Sequence, residues 1–233
     1  VDFHEQGVDS PYYFAPAAEP YHEVITDFQR DFQATIAKNH SRYFDKEGWL
    51  YFTDEVFDLL YPGYGDTYPM FNGAIGMTYE QGGSGRAGLS IRKSVGDLLS
   101  LKDRIAHHYT SGLSTVEVAH NNVMRLNKEF IAYHADNKGK YATYALEGPT
   151  DKMDALKRLL DAHQIPVKQL AQTTNIKGID FATQKTKNLS FSSEAIILKG
   201  NGQKSKLIQA LFEPQTQFSD SLTYDITSWA LPY

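Results

Sequence analysis

A histidine near the start of the chain and a glutamate much further along could supply the chemistry of one hydrolytic site. His4 ends a short strand-like segment that begins at Val1, and Glu80 ends the strand-like run over 74–79. Ligands of α/β proteins bind at the carboxyl ends of strands. An imidazole can ligate a metal ion, and a carboxylate can act as a general base. The pair therefore predicts one metal ligand and one base, the alternative being two hydrogen-bonded residues at a sheet edge.

One histidine does not complete a metal site, because about three protein ligands are needed. His4 is the fourth residue of the sequence. We therefore expect the chain to be a piece of a longer protein whose upstream part completes the site.

The elements that must position His4 and Glu80 alternate between strands and helices, which predicts an α/β fold. Apolar residues at three- and four-residue steps predict a helix from Glu19 that stops at Gly48. The turn-rich segment 61–73 predicts an irregular surface loop before the strand that ends at Glu80. A second long helix is predicted from about Leu98 to His134, with Gly112 as a position where it could bend.

The polar segment 137–140 is the best domain boundary, so the sequence predicts domains over 1–136 and 140–233. The second domain has predicted strands over 141–146, 166–170 and 194–198, with helices over 150–163 and 204–212. This alternation predicts a small α/β domain. The polar stretch 173–188 carries no predicted element.

Composition excludes several functions. The formal net charge of −5 over 233 residues argues against nucleic acid or an anionic membrane as the main partner. The chain has no cysteine, so disulfides, thiolate catalysis and cysteine-ligated zinc are excluded. No run approaches about 18 uninterrupted apolar residues, so no transmembrane helix is predicted.

Other motifs give weaker signals. Gly83, Gly85 and Gly88 match the spacing of a dinucleotide-binding loop, but no helix opens at the third glycine, so a turn is the better prediction. His107-His108, and Glu117 with His120, are expected on a solvated helix face. Arg86 and Arg92 could hold an anion near Glu80.

Three stretches of the first domain resemble the C-terminal half of the zinc carboxypeptidase family of metallopeptidases, in particular large bacterial members. They are Asp2-Phe3-His4-Glu5-Gln6-Gly7, the run Tyr61-Pro62-Gly63-Tyr64-Gly65-Asp66-Thr67-Tyr68-Pro69, and Asn72-Gly73-Ala74-Ile75-Gly76-Met77-Thr78-Tyr79-Glu80-Gln81. The resemblance implies part of a mixed sheet flanked by helices. Residues 140–233 look like the small domain that follows in those proteins, which is similar to a glutamine-amidotransferase-like fold but here lacks the cysteine of that chemistry.

The resemblance also implies roles for particular residues. His4 matches the last zinc ligand, and Glu80 matches the glutamate that activates the zinc-bound water. Tyr61 is the candidate for the mobile tyrosine that caps the substrate, with Tyr64 and Tyr68 as rivals. The implied cofactor is zinc and the implied substrate is a peptide or a small amide.

The other zinc ligands of the family form an H-x-x-E motif upstream, so the chain alone is expected to be inactive. The bacterial relatives are commonly exported, which implies a periplasmic or secreted parent. Two alternatives stay open: an amidohydrolase of the same fold acting on N-acyl amino acids, and a non-catalytic module that binds peptide or glycan.

Overall fold

The computed structural model describes residues 1–83, 85–86 and 88–217. The chain divides into two compact units, with the division between Tyr133 and His134. Both contain helices and strands, which confirms the predicted α/β class. Within the described residues, no helix has the length and apolar character needed to cross a membrane.

In its described residues, the first unit contains eight short strands and four helices. Its elements are β1 (Asp2–Gln6), β2 (Tyr12–Tyr13), β3 (Ala18–Tyr21), α1 (Asp27–Glu47), β4 (Tyr51–Phe52), β5 (Asp58–Leu59), α2 (Thr67–Met70), β6 (Thr78–Gly82), β7 (Ser90–Arg92), β8 (Leu98–Ser100), α3 (Leu101–Asn121) and α4 (Val123–Ala135).

A four-stranded mixed sheet with the order β1-β6-β2-β4 carries both predicted site residues. Strand β1 runs parallel to β6, and the register places His4 directly beside Glu80. On the other side of β6, strand β2 runs antiparallel to it and pairs Tyr13 with Glu80. Strand β2 in turn runs parallel to β4. Glu80 therefore lies on an inner strand, and His4 lies on the end strand of this sheet.

Helix α1 packs on the sheet through one buried apolar face. Phe32, Ile36 and Phe44 on this face join Phe14 and Tyr79 of the sheet side in one core cluster. Burying an aromatic or branched side chain of this size stabilises the fold by about 1.5–3 kcal/mol. The packing of this face explains why the apolar residues recur at helical spacing.

The two ends of α1 have clear local causes. The helix begins after Thr26, whose side chain accepts a hydrogen bond from the Gln29 N–H in a capping box. The prediction that helix starts at Glu19 is wrong, because Ala18–Tyr21 forms a strand paired with β5. The predicted stop is confirmed: Gly48 takes the left-handed conformation with φ 69° and caps the helix.

The predicted second long helix is two helices preceded by a hairpin. Strands β7 and β8 pair antiparallel before α3 begins, so residues 98–100 are strand rather than helix. The interruption comes at Asn122, with φ −120° and ψ 16°, and not at Gly112. Gly112 stays helical, and a Cβ there would lie 3.3 Å from Phe3 Cζ. This glycine therefore lets β1 approach α3 closely.

The second unit follows most of the predicted elements. Its elements are β9 (Thr143–Leu146), α5 (Thr150–Ala162), β10 (Val167–Gln169), β11 (Thr174–Ile179), β12 (Thr186–Phe191), β13 (Ile196–Lys199) and α6 (Ser205–Phe212). A three-stranded antiparallel sheet has the order β10-β13-β9. The polar stretch without a predicted element forms the β11–β12 hairpin. The part of the predicted second domain that follows residue 217 lies outside the described residues.

Candidate functional site

His4 and Glu80, which are 76 positions apart in the chain, meet side chain to side chain. His4 Nδ1 lies 3.0 Å from Glu80 Oε1 and 3.1 Å from Oε2. The two side chains differ in exposure, at 63% for His4 and 4% for Glu80. A ring nitrogen thus faces both oxygens of a buried carboxylate from a largely open position.

Burial shapes the acidity of Glu80. Removal of the carboxyl from water raises its pKa, and the hydrogen bond from His4 opposes part of that rise. The negative charges of Asp2 and Asp66 raise it further. A carboxyl with a raised pKa binds a proton more readily than an exposed one, which suits a group that takes a proton and returns it.

The loop between β5 and β6 packs against the site through two glycines. A Cβ on Gly65 would lie 2.6 Å from Asp2 Oδ2, so this loop rests on the carboxylate of Asp2. A Cβ on Gly76 would lie only 1.7 Å from the carbonyl oxygen of Asp66. Asp2 shares a face of β1 with His4, because alternate residues of a strand point the same way. The two close approaches therefore keep Asp66 near Asp2 and Glu80, and its negative charge acts on the Glu80 carboxyl group.

The three tyrosines predicted as substrate contacts all lie in or beside this loop. The Tyr61 ring is partly buried, and its centroid lies 5.1 Å from that of Tyr64 in an edge-on arrangement. A side chain at residue 63 would collide with the Tyr61 ring, since a Cβ there would lie 2.5 Å from Tyr61 Cε1. Tyr64 and Tyr68 are more exposed, at 53% and 41%.

Helix α3 carries a histidine that reaches β1. His108 Nδ1 lies 2.8 Å from the Tyr12 hydroxyl, which also lies 2.8 Å from Ser111 Oγ. The His108 ring also packs edge-on against the Phe3 ring of β1, with the two centroids 5.1 Å apart. Burial lowers the pKa of His108.

The neighbouring histidine reaches β6. His107 Nδ1 lies 2.7 Å from Gln81 Oε1, and the ring lies 4.5 Å from that of Trp49. Burial lowers the pKa of His107 to about 4. The expectation that His107 and His108 lie on a solvated helix face is therefore wrong, because α3 turns both rings toward the sheet. Two adjacent histidines gave no periodic signal that could have revealed this packing.

The remaining sequence candidates have other contacts. The Glu117 carboxylate accepts hydrogen bonds from Asn39 Nδ2 at 2.7 Å and from the Tyr43 hydroxyl at 2.9 Å. Arg92 donates to the carbonyl of Gly96 in its own hairpin. Glu5, next to His4, forms an ion pair with buried Arg104. Arg86 is exposed.

The metal-binding capacity of the site is limited to part of a ligand set. Among the described residues, no group of three or more histidine, aspartate or glutamate side chains is arranged to hold a metal ion. His4 offers one imidazole of the roughly three protein ligands that zinc needs. The donor type fits zinc, and the donors found in the described part of the chain do not complete the site.

Comparisons with protein-family models, with curated proteins and with solved structures give no match to this chain.

Proposed function

We propose that this chain carries one zinc ligand, His4, and the general base, Glu80, of a zinc-dependent metallocarboxypeptidase that hydrolyses a C-terminal peptide bond. The observation that carries the proposal is the contact of His4 Nδ1 with both oxygens of the buried Glu80 carboxylate, at 3.0 and 3.1 Å. The resemblance of the first domain to zinc carboxypeptidases assigns these same two residues complementary roles.

In this proposal Glu80 acts as the general base and then as the general acid. Its carboxylate takes a proton from the attacking water and returns it to the nitrogen of the leaving amine. The raised pKa of Glu80 favours proton uptake. Zinc, when bound, makes a coordinated water more acidic and polarises the scissile carbonyl. Tyr61 would contact the bound peptide, with Tyr64 and Tyr68 as its rivals.

The proposal requires ligands that the described residues do not supply. We infer that they come from polypeptide upstream of this sequence, as an H-x-x-E motif, and that the chain alone is inactive. Bacterial members of the zinc carboxypeptidase family, which the first domain resembles, are commonly exported, so the proposal includes a periplasmic or secreted parent protein.

The experiment measures bound zinc in two proteins: this chain, and the chain extended upstream in its gene. We expect about one zinc per molecule in the extended protein only, and its loss in His4→Ala. His120→Ala is the matched control, because His120 is an exposed histidine in the same unit. The His120→Ala variant of the extended protein should bind as much zinc as the extended protein without a substitution.

A second measurement tests the role of Glu80 as general base separately from the role of His4 as zinc ligand. Glu80→Gln in the extended protein should keep zinc and lose at least about a hundredfold in peptidase activity, since a general base contributes about 10²–10⁴ in rate. Activity that survives both chelation and Glu80→Gln would overturn the enzymatic proposal. Zinc in neither protein would favour the non-catalytic binding module instead. Activity on N-acyl amino acids but not on peptides would favour the amidohydrolase.

A further inference from the structure

Helix α3 buries polar side chains and exposes apolar ones, which is the reverse of an ordinary surface helix. Its buried residues are Arg104, Ser111, Ser114 and Val118. Its exposed apolar residues, with exposed fractions from 38% to 66%, are Leu101, Ile105, Tyr109, Leu113 and Val116. We call these five residues the α3 stripe. Because a surface helix normally turns its apolar side to the core, packing on the sheet does not explain the stripe.

The α3 stripe is a narrow, uncharged band along the helix. At 3.6 residues per turn, the side chains of Ile105, Tyr109, Leu113 and Val116 lie within about 80° of one another around the helix axis. All residues of α3 are described, and neither of its carboxylates is at an exposed position: Asp103 belongs to the capping box, and Glu117 accepts a hydrogen bond from Asn39. Charged residues are likewise depleted at the centres of protein interfaces.

The stripe lies on the side of the sheet that faces away from His4. Phe3 of β1 rests on Gly112 of α3, where a Cβ would lie 3.3 Å from Phe3 Cζ. Phe3 is 49% exposed and widens the apolar surface beside the stripe. Successive residues of a strand point to opposite faces, so His4 points away from α3. A protein bound to the stripe would therefore leave the contact between His4 and Glu80 open.

The order of side chains along the stripe fits a second copy of α3 in the antiparallel direction. A two-fold axis near residue 111 would place Ile105 opposite the partner subunit's Val116, and Tyr109 opposite the partner subunit's Leu113, because both pairs are centred within one residue of 111. Each apolar side chain then meets another apolar side chain. A two-fold interface requires this self-complementarity, since both copies present the same patch.

The apolar area of the stripe is close to what a stable dimer needs. From its exposed fractions, the stripe together with Phe3 exposes on the order of 400 Å² of apolar side chain on each copy. A standard interface buries about 800 Å² on each partner, and about 65% of a homodimer interface is apolar, which gives roughly 500 Å². The stripe therefore supplies most of the apolar area of such an interface.

We propose that the α3 stripe is the interface of a homodimer, in which the α3 helices of two copies of this chain pack antiparallel about a two-fold axis near residue 111. Tyr109 is the central anchor, because it is the largest side chain of the stripe and aromatic residues are enriched in interface cores. This inference goes beyond the proposed function and does not depend on zinc.

The first test measures association by sedimentation velocity of the full chain at about 1–100 μM. We expect a dimer. Tyr109→Glu should weaken dimerisation at least about a hundredfold, because the two-fold axis brings two buried carboxylates close together. Leu50→Glu is the matched control, since Leu50 is 76% exposed in the same unit but lies outside the stripe. Far-ultraviolet circular dichroism confirms that both variants are folded.

The second test addresses the antiparallel register. Ile105→Lys and Val116→Glu should each weaken the dimer, and the double variant Ile105→Lys/Val116→Glu should recover at least about tenfold, because opposite charges then meet across the interface. Within one helix these positions lie about 16 Å apart, so they cannot pair inside a single copy. The control Ile105→Lys/Val116→Lys places like charges together and should show no recovery.

Several results would overturn the proposal. A chain that is monomeric at about 100 μM has no such dimer. A dimer that Tyr109→Glu leaves unchanged uses another surface, and a double variant without recovery has another register. If this chain dimerises but the protein extended upstream is a monomer, the stripe belongs to a contact within the longer polypeptide. The zinc content of the extended protein decides the proposed function and changes none of these results.

Discussion

The stability of the first unit should fall steeply when the pH drops from about 6.5 to about 4, and His40 is one cause. His40 lies in α1 and is fully buried, with Nδ1 2.7 Å from Ser114 Oγ. Its Nε2 is buried and finds no hydrogen-bond partner among the described residues. Burial lowers the pKa of His40 from 6.5 to about 4.

The direction of the change in stability with pH depends on whether the folded or the unfolded state binds the proton. Between pH 6.5 and about 4 the imidazole in the unfolded chain is protonated, whereas the buried one in the folded chain stays neutral. The unfolded state is therefore favoured as the pH falls through this window, and the contribution levels off below about 4. A shift of one pKa unit corresponds to about 1.36 kcal/mol. His40 alone should therefore lower the free energy of unfolding by about 3 kcal/mol as the pH falls from about 6.5 to about 4. That is a large part of the ~5–15 kcal/mol that stabilises an ordinary domain.

The assay is urea unfolding at about pH 7, 5.5 and 4, followed by the fluorescence of Trp49 in a Trp229→Phe background. His40→Phe keeps an aromatic ring and removes the titrating group. This variant should lose about 3 kcal/mol less than the parent across the window. His107, whose pKa is also lowered to about 4, contributes in the same direction in both proteins and cancels in the comparison.

The control is His120→Phe, which removes an exposed histidine of the same unit and should follow the parent curve. An equal pH dependence in His40→Phe and in the parent would refute the assignment of the acid sensitivity to His40.

Three further substitutions each test a contact inside one of the two units. Gly76→Ala should lower the free energy of unfolding by about 3 kcal/mol, because the new Cβ collides with the carbonyl of Asp66; urea unfolding measures the change. Thr26→Ala should cost about 1 kcal/mol through loss of the α1 capping box, measured in the same way. Lys140→Met should destabilise the second unit by about 2 kcal/mol, because buried Glu213 loses a charged partner at 3.4 Å; hydrogen exchange of α6 reports it.

Each of these substitutions has a matched control. Gly7→Ala meets only Ser10 Oγ, at the ordinary distance of 3.7 Å, and should be nearly neutral. Thr35→Ala removes a hydroxyl from the middle of α1 rather than from its cap. Lys168→Met removes an exposed lysine of the second unit. A control that destabilises as much as its partner would show that the named contact is not the cause.

The sequence predicted that His4 and Glu80 belong to one site, but the expectation that each residue ends a strand is wrong, because each is the third residue of a five-residue strand. They meet because β1 and β6 run parallel and pair in a register that places His4 beside Glu80, and nothing local to either residue signals that register. Helix α1 and its stop at Gly48 were also predictable, because apolar spacing and capping are local properties. The start of α1 was not, since the pairing of Ala18–Tyr21 with a later strand overrides the local pattern.

The surroundings of the site depended on tertiary contacts. Nothing in the residues around His107 and His108 shows that α3 would turn both rings onto the site strands, because their partners Gln81 and Tyr12 are 26 and 96 positions away. The local residue pattern was thus enough to predict the types of the candidate site residues and the segments that carry them. The burial of Glu80 and its contact with His4 could not be predicted in this way, because burial and long-range hydrogen bonds arise when elements distant in the sequence pack together.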